Sequence, residues 1–260
     1  MVGRILSDVQ GEVAFVTIEN DRKLNALDVV MWRSLRAQFE ELSRRAELRC
    51  IVIRGAGEKA FSAGADISEF AATRSNREQV TRFHEEIVGP ALMAIFDCDV
   101  PVVAQIRGVC MGGGLEIACA CDLRLADDSA RFGAPVGKLG FPLAFAETQS
   151  LFALVGWATS AELLIEGRIL SAADAFDRRL VTRVSRSVEL EDDVARCVKS
   201  ICESGRWAAR SHKQQLRRLV RDSSPVSAAE RHSVYAFADT DEYQEGYRRF
   251  VRKQKPAPRG

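Results

Sequence analysis

In Val109-Cys110-Met111-Gly112-Gly113-Gly114-Leu115-Glu116-Ile117-Ala118-Cys119-Ala120-Cys121-Asp122, three consecutive glycines open a short apolar segment. Its only carboxylate before Asp122 is Glu116. A glycine triplet suits a backbone that turns tightly and comes close to something, since no Cβ obstructs either. A helix starting there aims unpaired N–H groups, and the positive end of its dipole, at whatever lies in front of the turn. A carboxylate in an otherwise apolar helix is costly unless it is paired or used. Two readings follow. One is a site where a negative oxygen is stabilised beside an acid or base. The other is a tight strand–helix turn in which Glu116 caps its own helix.

On either side of this segment the pattern is that of strands and helices in alternation. Val100-Pro101-Val102-Val103-Ala104-Gln105-Ile106 precedes it as a β-like run, and Asp122-Leu123-Arg124-Leu125-Ala126 follows it as another. Cys50-Ile51-Val52-Ile53-Arg54 reads as a buried strand ended by Gly55-Ala56-Gly57. Nearer the start, residues 5–7 and 13–18 read as two strands around a turn at Gln10-Gly11-Glu12. Asp28 then caps a helix carrying Met31, Leu35, Phe39 and Leu42 at the helical period. This alternation predicts an α/β core. After about Ser187 no strand candidate remains, and residues 189–204, 207–221, 226–238 and 243–253 all look helical. The expected division is a core over residues 1–188 and a helical region over residues 189–260.

Composition narrows the function classes. With 260 residues the chain can bury an ample core, and its formal charge of +1 argues against a polyanion binder. No apolar run reaches the length of a membrane span, and residues 1–8 have no signal-peptide core, so a cytoplasmic location is expected. Seven scattered cysteines suggest reduced, mostly buried thiols, and three histidines without a paired spacing make a metal site unexpected. Charge is uneven, however: from Arg206 to Arg259 there are 13 Lys/Arg against 6 Asp/Glu. That excess suits either a solvated helical surface or a basic tail for a phosphate-bearing ligand.

A second run of small residues, Ala60-Phe61-Ser62-Ala63-Gly64-Ala65-Asp66-Ile67, would let a ligand lie against backbone N–H groups. Two such loops can converge on one oxygen, which is what acyl and enolate chemistry requires. Together with Leu24-Asn25-Ala26-Leu27, Cys121-Asp122, Arg131-Phe132-Gly133, Lys138-Leu139-Gly140, Gly167-Arg168 and Glu245-Gly246 followed by Phe250-Val251-Arg252-Lys253, these motifs run in order along nearly the whole chain. In this the chain resembles the enoyl-CoA hydratase/isomerase (crotonase) family. The resemblance implies a spiral of ββα units with a C-terminal helical trimerisation region, assembled as a homo-trimer or hexamer. It implies a coenzyme A thioester as substrate, with no permanently bound cofactor. The family's two oxyanion-binding N–H groups would map to Ala63 and Gly113. Ala26, Asp66 and Ile67 would lie along the adenine, and Phe250 and Lys253 would reach a neighbouring subunit's nucleotide. A branched side chain at Gly113 would be expected to occupy the thioester's position.

The chain departs from that pattern in one telling place. Hydratases of the family carry a second glutamate twenty residues after the first, and here Val136 stands there, in Phe132-Gly133-Ala134-Pro135-Val136. Valine cannot move a proton, while hydration calls for both activation of water and protonation of the α-carbon. Glu147 is the candidate replacement. If a helix begins near Ala144, Glu147 sits at the edge of its apolar stripe, and either projects into the pocket or caps its own helix. His84 falls in a polar stretch, residues 74–86, that lines or covers the acyl pocket in the family. A surface position is the expectation for it, although some relatives use a histidine from this region. Cys110 and Trp32 read as packing residues and Asp122 as a backbone anchor. The leading expectation is an acyl-CoA enzyme that stabilises a thioester enolate, with Glu116 moving the proton. Behind it stand a decarboxylase or thioester hydrolase of the same family and a CoA-ester-binding protein with little catalysis. An RNA-binding role fits poorly without a basic–aromatic stripe.

Overall fold

Short apolar segments sort into two sheets joined by helices, as seen in a computed structural model that describes residues 3–254, apart from the side chains of Asp21, Lys253 and Gln254. The larger sheet has the order β1-β2-β3-β5-β7-β10, from Arg4–Gln10, Val13–Glu19, Cys50–Gly55, Val102–Ile106, Leu123–Asp127 and Arg183–Ser185. The smaller has the order β4-β6-β8-β9, from Ala60–Ser62, Val109–Met111, Arg131–Gly133 and Leu170–Ser171. Only β1 runs antiparallel to its neighbour in the large sheet. Parallel neighbours need crossovers, and after the first, which holds α1 and no second strand, each places a short second strand in the small sheet before its helix. Thus β3 leads to β4, β5 to β6 and β7 to β8. This repeated step is the ββα spiral that the resemblance implied.

Both faces of the large sheet are covered, which is why its strands read as continuous apolar runs. Ile51 and Ile53 face the main core, while Cys50 and Val52 face Leu190, Val194 and Cys197 of α8 (Leu190–Glu203). The main core takes α1 (Val29–Arg44), where Asp28 accepts the Met31 N–H at 2.8 Å and Met31, Trp32, Leu35, Phe39 and Leu42 are buried as their spacing predicted. It also takes α4 (Gly89–Phe96), α5 (Gly113–Ala120) and α6 (Phe145–Ala161). Two short helices, α2 (Phe70–Thr73) and α3 (Arg77–Arg82), lead into a π-helical turn over Phe83–Val88. Pro90 has no N–H to return to Glu86, and the wide turn closes instead through the Gly89 N–H on His84 O. Among the described residues, only helices follow α7 (Ala172–Asp177) and β10: α8, α9 (Arg206–Arg221), α10 (Ala228–Ser233) and α11 (Asp241–Gln254), with a 3₁₀ turn between the last two.

Much of the basic excess of this helical end is consumed within the chain. Lys213, buried on α9, donates to Val100 O at 3.1 Å and pairs with Asp122 at 2.7 Å. Arg210 donates to the carbonyls of Arg45 and Leu48, and Arg217 pairs with Asp99 at 2.9 Å. These bonds strap α9 across the edge of the core and leave fewer cations for a ligand than the composition suggested. Among the described residues, no helix is long and apolar enough to cross a membrane.

Candidate active site

Two glycine-containing loops meet where the small sheet hands over to α5. Gly112 adopts φ 49° and ψ −121°, a backbone that favours glycine, and this turns β6 into the first residue of α5, Gly113. The other loop follows β4, and Gly64 in it has φ +95°. A Cβ on Gly64 would stand 2.7 Å from Met111 O and 2.9 Å from Gly113 N, and one on Gly114 would stand 2.4 Å from Ser62 O. The two loops touch backbone to backbone, as the runs of small residues predicted.

Asn25 fixes the spacing. Buried, and itself at φ 58°, it donates through Nδ2 to Ala60 O at 2.8 Å and Ala56 O at 3.0 Å, while its carbonyl accepts the Ser62 hydroxyl at 2.8 Å. Leu27 N–H donates to Gly64 O and Asp66 N–H to Leu27 O, both at 2.8 Å. In the same ladder Ala63 N–H donates to Leu24 O at 2.9 Å. That bond corrects the expected oxyanion donor, because the Ala63 N–H is already used to hold the loop. Gly64 N–H is likewise taken, by Ser62 Oγ at 3.0 Å. The next N–H, that of Ala65, has no hydrogen-bond partner among the described residues, and its nitrogen lies 3.5 Å from where a Cβ on Gly113 would stand. Ala65 and Gly113 are therefore the adjacent pair.

Both border a cavity of about 280 Å³, walled by apolar side chains that include Trp32, Phe70, Phe83, Val136 and Leu143. The Gly113 Cβ direction points at Trp32 of the cavity wall, whose Cζ2 would be 2.7 Å away. A branched residue there would strike the indole first. Glu116, one turn along α5, lines the cavity and is 8% exposed. Burial, reinforced by the nearby Glu147 and opposed by Arg74, holds its carboxyl well above the usual range.

Glu147 is buried but does not line the cavity. Its Oε2 accepts the Ala144 N–H at 2.9 Å, capping α6, and its Oε1 meets His84 Nδ1 at 2.6 Å. Both alternatives for this residue are met in part: one oxygen caps the helix and the other turns toward the pocket through histidine. His84 is the correction. It sits on the π-helical turn with its side chain 13% exposed, lining the cavity and not the surface. With its proton on Nδ1, His84 would donate to Glu147 and leave Nε2 as the free ring nitrogen. Val136 lines the cavity as well.

Arg74 was not singled out by sequence. Its guanidinium lies 4.0 Å from the Phe70 ring centre and 3.5 Å from that of Phe83, on the cavity wall. Burial lowers its pKa to about 10, against the pull of Glu116, Glu147 and Glu69. The flanking phenylalanines were visible in the sequence, but nothing in their spacing marked a cation between them.

The remaining candidates lie around this centre. Ala26 is buried beside the Asn25 ladder, and Ile67, 61% exposed, borders the cavity mouth. Burial would raise the Asp66 pKa, but Lys23 at 2.5 Å and the Ser68 N–H and hydroxyl hold it below the usual range. Phe250 is exposed on α11, and the cavity of the same chain is lined without it. Lys253 lies in the last turn of α11, and its side chain lies outside the described residues. Cys110 is a buried thiol pushed well above its ordinary pKa by burial, as befits a packing residue. Asp122 accepts the Val102 N–H at 2.7 Å, anchoring β5.

Comparison with known proteins agrees with this geometry. The enoyl-CoA hydratase/isomerase family model matches residues 8–259. The chain belongs to that family. It is 30% identical over 256 residues to the short-chain-enoyl-CoA hydratase of Clostridium acetobutylicum, covering 98% of this chain and 97% of that one. Among solved structures, an enoyl-CoA hydratase/carnithine racemase from Magnetospirillum magneticum superposes with a TM-score of 0.94 at 39% identity, covering 99% of this chain and 96% of that one. The enoyl-CoA hydratase of Bacillus anthracis superposes with a TM-score of 0.89 at 29% identity, covering 98% of each. The crotonase-type fold and the class of acyl-CoA enzyme are thereby established for this member of the enoyl-CoA hydratase/isomerase family. Its members use CoA thioesters, generally without a permanent cofactor.

Proposed function

We propose that the protein reversibly hydrates the conjugated double bond of an enoyl-CoA, with the second acid–base group supplied by His84 in place of a glutamate. The observation that carries this reading is the 2.6 Å bond from Glu147 to His84, which lines the same cavity as Glu116. The N–H groups of Ala65 and Gly113 hold the thioester oxygen as it gains enolate charge. His84, its tautomer set by Glu147, accepts a proton from water as the oxygen attacks the β-carbon. Glu116, whose raised pKa keeps a protonated form accessible, gives its proton to the α-carbon. Glu147 serves as the residue that positions His84. In this assignment Ala65 replaces Ala63.

The nucleotide lies along the backbone near Ala26, Asp66 and Ile67. Phe250 and Lys253 of a neighbouring subunit complete its site. Residues 1–188 carry the acyl-CoA site and residues 189–260 the assembly function, giving a trimer or hexamer. Exposed apolar side chains on the last helices support this, Leu216 at 65% and Phe250 at 64% among them. Incubation with a panel of trans-enoyl-CoAs, following loss of conjugation and product mass together, tests the reaction. A product heavier by one water supports hydration. Unchanged mass makes the protein an isomerase working through Glu116 alone, and binding without turnover removes the catalytic reading.

A further inference from the structure

The acyl cavity contains a charge that hydration does not use. Arg74 lies in its wall, stacked between Phe70 and Phe83, and its Nε is buried with no hydrogen-bond partner among the described residues. Among the described residues it forms no ion pair within 4.0 Å. The nearby carboxyls are committed elsewhere. Glu147 spends its two oxygens on Ala144 and His84, and burial pushes Glu116 toward its neutral form, with no ion pair from it to Arg74 within 4.0 Å. Glu69 accepts the Val29 N–H at 2.9 Å. Lys138 also borders the cavity, but at its exposed rim, where water screens it.

An unpaired guanidinium in an apolar cavity is expensive. The two aromatic faces offset part of that cost and hold the planar group in one orientation, leaving its edge for an anion. A carboxylate is the complement of that edge, since it takes two parallel N–H bonds from a guanidinium. We propose that the acyl group of the substrate carries a second carboxylate, read by Arg74, so that the substrate class is the CoA monothioester of an unsaturated dicarboxylic acid. This rests on the acyl-CoA reading of the cavity, but not on the direction of the chemistry.

Binding of saturated thioesters separates the two, because no turnover is needed. Succinyl-, glutaryl- and adipyl-CoA are compared by calorimetry with butyryl-, valeryl- and hexanoyl-CoA, each pair matched in carbon number. The protein as it stands is expected to bind at least one diacid thioester roughly 10- to 100-fold more tightly than its methyl-ended partner, the range of a charge-assisted hydrogen bond. Arg74→Met should abolish that preference while leaving the affinity for methyl-ended thioesters within about twofold, and Arg74→Lys should retain part of it. Equal affinity within every pair, or an Arg74→Met loss shared equally by both members, overturns the proposal. Hydration of crotonyl-CoA without any diacid preference would leave the hydratase reading standing and remove this one. A diacid preference lost in Arg74→Met, with no hydration of glutaconyl-CoA or crotonyl-CoA, would do the reverse.

Discussion

At the scale of single residues, the site is two proton carriers in different environments. Glu116 is buried and forms no ion pair among the described residues, whereas His84 is held by a capping carboxylate. Glu116→Gln removes the proton donor and should lower kcat by about 10³-fold, within the usual range for a positioned acid or base. The same substitution has a pH signature. Unfolded, the carboxyl titrates near 4.5; folded, well above it. Between those values the unfolded chain gives up the proton while the folded chain keeps it, so stability falls as pH rises through the window. Thermal unfolding across that range should therefore show Glu116→Gln gaining on the parent protein with rising pH, and a constant difference would contradict the burial argument. Glu147→Gln keeps an oxygen for the Ala144 N–H but offers an amide N–H to His84 Nδ1, moving the proton to Nε2. The expected loss is about 10²-fold in kcat with KM little changed. Matched losses in kcat and in thermal stability would instead mark a purely structural glutamate. Glu116 and Gly113 were legible because a lone carboxylate and a glycine triplet stand out in an apolar run. His84 and Arg74 were not, because their roles depend on which side of a π-helical turn and a short helix end faces inward.

At the scale of elements, the site depends on the contact between the loop after β4 and the start of α5. Gly64→Ala places a Cβ against Met111 O and Gly113 N at a φ that disfavours it. It should cost about 1–3 kcal/mol in stability, read by chemical denaturation, and reduce turnover further by parting the two donors. Full activity in this variant would show that the loops need not touch. The long strands of the large sheet and the helix after Asp28 were legible, since five or more apolar residues or four helical repeats carry a pattern. The small sheet was not, because its strands are two or three residues long and hold no period. The distinction between Ala63 and Ala65 escaped for a related reason. Alternate residues share composition, and only the ladder to Leu24 and Leu27 decides which N–H remains free.

At the scale of the whole molecule, the helical end has divided duties. Its first helices are bound to the core, α8 through Leu190 and Val194 and α9 through Lys213 and Arg217, while α11 presents Tyr247 and Phe250 outward. Truncation before Tyr247 should therefore leave the core folded by circular dichroism, yet reduce both the sedimenting mass and the affinity for CoA. An unchanged sedimentation coefficient and CoA affinity would remove the cross-subunit nucleotide site. The basic excess of this end was legible, but not its use, since a lysine bound to a carbonyl 113 residues away resembles a solvated one in sequence. The reaction itself is tested most directly by single turnover of an enoyl-CoA in water labelled with heavy oxygen, followed by mass spectrometry of the product. Hydration through Glu116 and His84 predicts one labelled oxygen per product molecule, lost in both Glu116→Gln and His84→Ala. An unlabelled isomer of unchanged mass, formed as fast without His84, would contradict it.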